Sequence, residues 1–165
     1  MDQVLRIANV NDIPQITKIY NEGIEDRVAT LETGLRTEKD MVEWLNSRDE
    51  SHSVLVIEDE TGVTVGWASL NIFNSRCCYS GVADISIYIL RDMRGKGFGK
   101  ILLEYLIETS KKKGFHKLVL STFDYNEAGK RLYRSKGFRE VGTYMNQGIL
   151  EGKFVNVTLM EKLLR

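Results

Sequence analysis

The stretch Ala83 to Lys100, ADISIYILRDMRGKGFGK, decides the reading of the chain. It starts as a strand, with Ile85, Ile87 and Ile89 on one face and Ser86 and Tyr88 on the other. Arg91, Asp92 and Met93 form a charged turn. Arg94-Gly95-Lys96-Gly97-Phe98-Gly99 follows, opening a helix whose apolar pattern begins at Ile101. Glycines without Cβ atoms let the backbone turn tightly and bring its N–H groups against an anion. A helix starting there adds the positive end of its dipole. Arg94, Lys96 and Lys100 add full charges. The layout is that of a phosphate or pyrophosphate site.

Two common loops are excluded by spacing. A dinucleotide fingerprint needs G-x-G-x-x-G after the first strand of a βαβ unit and an acidic residue about twenty positions on. Here the glycines are spaced G-x-G-x-G in mid-chain. A Walker loop, G-x-x-x-x-G-K-[ST], is absent. A glycine-rich turn with no ligand remains as the bland alternative.

At 165 residues the chain fits one domain, 1–165, with a single core. Hydrophobic residues make up 42% and charged residues 28%, the composition of a soluble globular protein. Lys+Arg and Asp+Glu both number 23, so the net charge is zero, which argues against bulk binding to nucleic acid or membrane. Asp2 and Arg6 stand where a leader would be apolar, and no apolar run reaches the length of a membrane span. The neighbours Cys77 and Cys78 make neither a disulfide framework nor a zinc pattern, so a reducing cytoplasm is expected and no metal.

Either side of the loop the chain alternates strands and helices. Val4–Ala8 reads as a strand, and Asn11-Asp12 as a cap for a helix with Ile13, Ile16, Ile19 and Tyr20 inward. Asn21–Arg36 has weak periodicity and reads equally as a site-lining loop or a solvated connection. Thr37 and Asp40 form a capping box for a second helix carrying Met41, Val42, Trp44 and Leu45. Ser53–Glu58 and Val63–Phe73 make a hairpin. Gly114 ends the third helix, His116–Phe123 is a strand, and Asn126 to Gly137 bounds a fourth helix. Phe138–Tyr144 and Phe154–Leu163 are the last strands, around a loop with Gly148 and Gly152. The fold class is α/β, a mixed sheet of about seven strands flanked by four helices, in the order β1-α1-α2-β2-β3-β4-α3-β5-α4-β6-β7.

That order and three motifs resemble the GNAT acyltransferase superfamily over essentially the whole chain. The motifs are the loop Arg94–Lys100, the segment NEAGKRLYRSKGF from Asn126 to Phe138, and Ile19-Tyr20-Asn21 together with Arg76–Tyr79 and Ala83–Ile89. The third set resembles the phosphinothricin acetyltransferase-like branch, which acetylates the α-amine of amino acids and of mimics such as phosphinothricin and methionine sulfone or sulfoximine. The resemblance implies acetyl-CoA as cofactor. Its contacts would be Ile87, Tyr88 and Ile89 on the strand, Arg94, Gly95, Lys96, Gly97, Phe98, Gly99 and Lys100 in the loop, and Asn126 and Tyr133 on the fourth helix. It also implies a mostly antiparallel sheet and admits a homodimer. Two positions depart from the branch: Asp84 stands where relatives usually carry Glu, which favours a water relay, and Asn156 where they often carry Asp.

Acyl transfer to an amine needs an acceptor for the ammonium proton, a donor to the oxyanion, and a proton for the departing thiolate. Asp84 is the candidate base. Its alternative is a strand-start carboxylate that caps or pairs with Arg76. The resemblance puts the thioester carbonyl at Ile87 or Tyr88, which implies that a backbone N–H there would serve the oxyanion. Tyr133 would protonate the thiolate, or is a core aromatic beside Leu132. Neither cysteine suits a covalent intermediate, so direct attack in a ternary complex is expected. Thr30, Phe73, Arg76, Asp84, Phe154 and Asn156 are candidate substrate-binding residues, an Arg being suited to a carboxylate. The expected function is N-acetylation of a small-molecule amine, with a detoxifying or resistance role. Alternatives are N-acetylation of a polyamine, an aminoglycoside or a protein N-terminus, or a non-catalytic acyl-CoA sensor.

Overall fold

A computed structural model describes residues 3–28 and 30–165; Asp2, used above against a leader, lies outside them. The elements are β1 (Val4–Ile7), α1 (Ile13–Glu25), α2 (Glu38–Asn46), β2 (Val54–Glu58), β3 (Thr64–Ile72), β4 (Val82–Ile89), α3 (Phe98–Lys112), β5 (Lys117–Phe123), α4 (Glu127–Ser135), β6 (Arg139–Leu150) and β7 (Lys153–Leu163). Single 3-10 turns sit at Val10–Asp12, Cys77–Tyr79 and Arg91–Met93. The order matches the expected one.

Seven strands form one sheet in the order β1-β2-β3-β4-β5-β7-β6. Every neighbouring pair is antiparallel except β4 and β5. Those two run parallel and pair only over Val82–Asp84 against Lys117–Val119. Past Asp84 they part. β4 stays bonded to β3 through Ile89, while β5 follows β7 to Phe123. The sheet is therefore split from Asp84 onward, and the split positions the site.

Register assigns the two faces. Opposite residues on antiparallel strands share a face, so Trp67 with Tyr88, Ser69 with Ser86 and Asn71 with Asp84 point one way. On that face Trp67 packs with Ile13, Ile16 and Ile19 of α1 and Met41 of α2. The other face carries Ala68, Leu70, Ile85 and Ile87 against Leu102, Leu103 and Leu106 of α3. The β4 alternation read from sequence thus divides the two cores.

One cap and three boundaries differ from the sequence reading. Asp12 stands at the N-cap of α1 as read, but its side chain makes no cap bond there: it receives two hydrogen bonds of 2.8 Å from Arg6, and Asn9 caps the preceding 3-10 turn by accepting from the Asn11 N–H. α1 runs on to Glu25 through Gly23, because its partner there is the Tyr88 ring: a Cβ on Gly23 would lie 3.3 Å from it. α3 begins at Phe98, three residues before the apolar pattern. β6 extends to Leu150 with irregular pairing between Tyr144 and Gly148, so Gly148 lies in a strand and the turn is Glu151-Gly152. Among the described residues no helix is long and apolar enough to cross a membrane.

Candidate active site

The split between β4 and β5 opens a cavity of about 460 Å³. Its walls are Ile87, Tyr88 and Ile89 of β4, Ile19 and Gly23 of α1, and Asn126, Gly129, Leu132 and Tyr133 around α4. Arg94, Gly95, Gly97, Gly99 and Lys100 close one end. Gly97 caps α3 at φ 92 with no side-chain hydrogen bond to the first turn, and Gly95 has φ 76. The first N–H groups of a 15-residue helix therefore face the cavity uncapped. A Cβ at Gly95 or Gly97 would meet no atom within 4 Å, so the glycines serve backbone conformation and leave the approach clear. This is an anion cradle at the mouth of an apolar slot.

Most of the expected cofactor contacts meet on this wall, with two exceptions. Lys96 is exposed, its Nζ 4.0 Å from Met93 Sδ, and Phe98 packs into the α3 core. Neither lines the cavity. Arg94 does, but its Nη1 lies 2.7 Å from Asp26 and its Nε donates to the Ile89 carbonyl. Asp26 also holds Arg91, so this acid ties the turn to the end of α1.

Asp84 is the last β4 residue paired with β5. Burial pushes its carboxyl up from 3.8 to about 6, while a hydrogen bond from Asn71 Nδ2 at 3.4 Å pulls the other way. It is not paired with Arg76. Tyr133 lies close enough to sense the Asp84 charge, and burial, then Asp84, raises the phenol above its ordinary value. Burial likewise raises the Tyr88 phenol. A carboxyl poised near neutrality beside a phenol that stays protonated is the arrangement that proton transfer in both directions requires.

A second cavity, about 210 Å³, lies on the α1/α2 side of Tyr88. Tyr20, Trp44, Trp67 and Tyr88 are its aromatic walls, Ser69, Asn71 and Ser86 its polar floor, and Glu32 and Arg36 its charged rim. Glu32 accepts from Arg36 at 2.6 Å and from the Tyr20 hydroxyl at 3.0 Å. Trp67 Nε1 is buried with no hydrogen-bond partner among the described residues. Tyr88 is the shared wall, so the two cavities meet across one ring.

The remaining candidates scatter. Thr30 Oγ1 accepts from the Glu32 N–H, beside the second cavity rather than in it. Phe73 stacks edge-on with Tyr79 at 5.4 Å and is exposed. Arg76 faces a groove with His52 and Phe115 that excludes Asp84. Phe154 is 65% exposed. Asn156 Oδ1 accepts from the Asn146 N–H at 2.7 Å, so its side chain fastens the irregular part of β6. None of these five lines either cavity; Asp84 is in neither lining but is joined to the floor of the second through Asn71. Cys77 and Cys78 are free and exposed.

Sequence reasoning missed Gly23, Asn71, Trp67 and the Glu32–Arg36 pair. Gly23 had a readable signal, a glycine inside a helical pattern, which marks a close approach. Asn71 and Trp67 had none, since alternation in β3 places them on a face without saying what lies across from it.

Residues 15–138 match the acetyltransferase (GNAT) family. An L-methionine sulfoximine/L-methionine sulfone acetyltransferase of Pseudomonas paraeruginosa is 30% identical, covering 98% of this chain and 94% of its own. Among solved structures, a GNAT superfamily phosphinothricin acetyltransferase of Sinorhizobium meliloti, in complex with acetyl-CoA, superposes with a TM-score of 0.93 at 29% identity. That match covers 99% of this chain and 89% of the other. A ribosomal-protein-alanine N-acetyltransferase of Brucella melitensis gives a TM-score of 0.93 at 32% identity, covering 97% and 99%.

Proposed function

The chain belongs to the GNAT acetyltransferase family, and from that premise we propose that it acetylates the primary α-amine of a small amino acid or amino-acid analogue of the phosphinothricin or methionine sulfone type. The observation that carries the reading is Asp84: a half-buried carboxyl, raised to about 6, at the point where the sheet splits. Relatives named for such substrates support the class.

The cofactor is acetyl-CoA, and the first cavity fits it. Its uncapped helix start suits a pyrophosphate, and its apolar slot between β4 and α4 suits a pantetheine arm. Bound there, the group supplies an activated acetyl thioester. Gly95, Gly97, Gly99 and Lys100 would hold the phosphates, and Asn126, Leu132 and Tyr133 the arm. Past Asp84 the β4 edge facing the gap has no strand partner, so the N–H of Ile87 would be available to a developing oxyanion, while the Tyr88 N–H is turned to Trp67 in the β3 ladder. Asp84 takes the ammonium proton, directly or through a water. Tyr133, kept protonated by burial, would be the proton donor to a departing sulfur. The acceptor enters from the second cavity, where the Glu32–Arg36 pair at the rim and Ser69, Asn71 and Ser86 on the floor meet its polar groups.

The α-amine of a protein N-terminus is the second reading, favoured by the ribosomal-protein-alanine relative. Mass spectrometry of products from L-methionine sulfone and from an Ala-initiated peptide separates the two. Acetyl on the sulfone's α-nitrogen supports the proposal, and acetyl on the peptide alone overturns it.

A further inference from the structure

Arg48, just after α2, is half-buried against neutral acceptors. Its Nε donates to the His52 carbonyl at 3.1 Å. Its Nη2 donates to the Leu70 carbonyl and, at 2.8 Å, to Asn71 Oδ1. Its guanidinium carbon lies 4.7 Å from the centroid of the Trp44 ring. All three acceptors are amide oxygens, and burial lowers the pKa of the group. Desolvating a cation for such partners costs stability, which asks what the cation is there to do.

The answer lies in Asn71. A guanidinium has only donors, so the oxygen of the Asn71 amide must face Arg48 and its NH₂ must face away. Facing away means facing β4, where Nδ2 reaches Ser86 Oγ at 3.1 Å and Asp84 Oδ2 at 3.4 Å. Neither an amide flip nor a free rotor is open to this asparagine. Asp84 Oδ1 accepts no hydrogen bond among the described residues and is not sealed from solvent. One carboxylate oxygen is thus capped by a fixed donor while the other stays open.

We propose that Arg48, acting through Asn71, is a positioning residue for the reaction: it fixes the amide that caps Asp84 Oδ2 and so leaves Oδ1 as the atom that takes the proton of the incoming ammonium. The step balances simply. An N–H bond of the ammonium breaks, its electron pair stays on nitrogen for attack, and an O–H bond forms at Oδ1. The groups facing Asp84 are Asn71 from β3, Tyr133 from α4 and the apolar Val119 of β5. Tyr133 is neutral at working pH, so Asn71 is the donor that favours the charged carboxylate. The inference rests on reading Asp84 as the base.

The test compares Asn71→Leu, Arg48→Met, Arg48→Lys and Asp84→Asn with the parent from pH 5 to 9, by thiol release from acetyl-CoA. The acceptor is the one the parent turns over fastest, which keeps the outcome separate from the substrate reading. Acetyl-CoA affinity by calorimetry checks folding and should stay within about twofold, because the relay lies outside that cavity. Asn71→Leu and Arg48→Met should lower kcat about 10- to 100-fold and move the rising limb of the pH profile up by about one unit. Arg48→Lys should recover part of kcat, because an ammonium also has only donors and so keeps the Asn71 oxygen turned toward it. If Arg48→Met fails to fold, Asn71→Leu decides, since it cuts the relay in the middle and keeps the Arg48 cation. Parent kcat and an unmoved limb in Asn71→Leu overturn the relay. A limb that survives in Asp84→Asn places the base elsewhere and overturns the inference at its premise.

Discussion

Replacing Asp84 by Asn should make the protein more stable at pH 8 while lowering its turnover. The carboxyl is raised from 3.8 to about 6 by burial, so the fold favours its protonated form. Its contribution is fully present below about pH 4 and is lost as the pH rises through about 6. At about 1.4 kcal/mol per unit, a shift of roughly two units sets a ceiling near 3 kcal/mol for the penalty at pH 8. The side chain is only half-buried, so solvent screening reduces this to about 2 kcal/mol. Asn keeps the shape and can still accept from Asn71, yet carries no charge. Urea unfolding followed by the fluorescence of Trp44 and Trp67, at pH 4.5 and pH 8, measures the effect. The advantage of the variant should grow by about 1–2 kcal/mol between the two pH values. An advantage that is flat with pH, or a variant less stable at pH 8, would refute the claim that burial strains this carboxylate.

Gly97→Glu places a side chain at φ 92 and a negative charge at the start of α3, so calorimetry should show acetyl-CoA affinity falling at least ~10-fold while circular dichroism keeps its helical signal. Tyr133→Phe should lower kcat by about 10-fold or more with little change in acetyl-CoA KM, because it removes only a proton donor; since the phenol is raised, the parent should show no alkaline limb from this group up to pH 9. Leu106→Ala empties a fully buried site between α3 and the sheet and should cost about 2–5 kcal/mol in urea unfolding, without moving KM.

The parts of this fold that sequence made legible are those in which one residue type has one physical job. Alternation in Ala83–Ile89 named both faces of β4, and the Thr37–Asp40 box is present with both of its hydrogen bonds. Gly95 and Gly97 marked the turn into α3 because both adopt positive φ, which L side chains rarely do. Residues whose role depends on distant partners were harder to read. Asn156 looked like a substrate contact, yet its side chain is occupied by the Asn146 N–H, a partner ten residues away across an irregular hairpin that no pattern announces. Arg76 looked like a carboxylate grip, yet its loop turns toward His52 and Phe115. Arg48 and Asn71 are separated by a strand and a turn, and nothing in their local sequence tells that one holds the other.

Thiol release from acetyl-CoA against L-methionine sulfone, L-methionine sulfoximine, phosphinothricin, the common amino acids, spermidine, an aminoglycoside and an Ala-initiated peptide tests the central claim most directly. The account predicts turnover on the amino-acid analogues with kcat/KM at least ~10-fold above every other acceptor. Turnover confined to spermidine, the aminoglycoside or the peptide would contradict the proposed substrate class, and tight acetyl-CoA binding with no turnover on any acceptor would contradict the proposed catalytic roles of Asp84 and Tyr133.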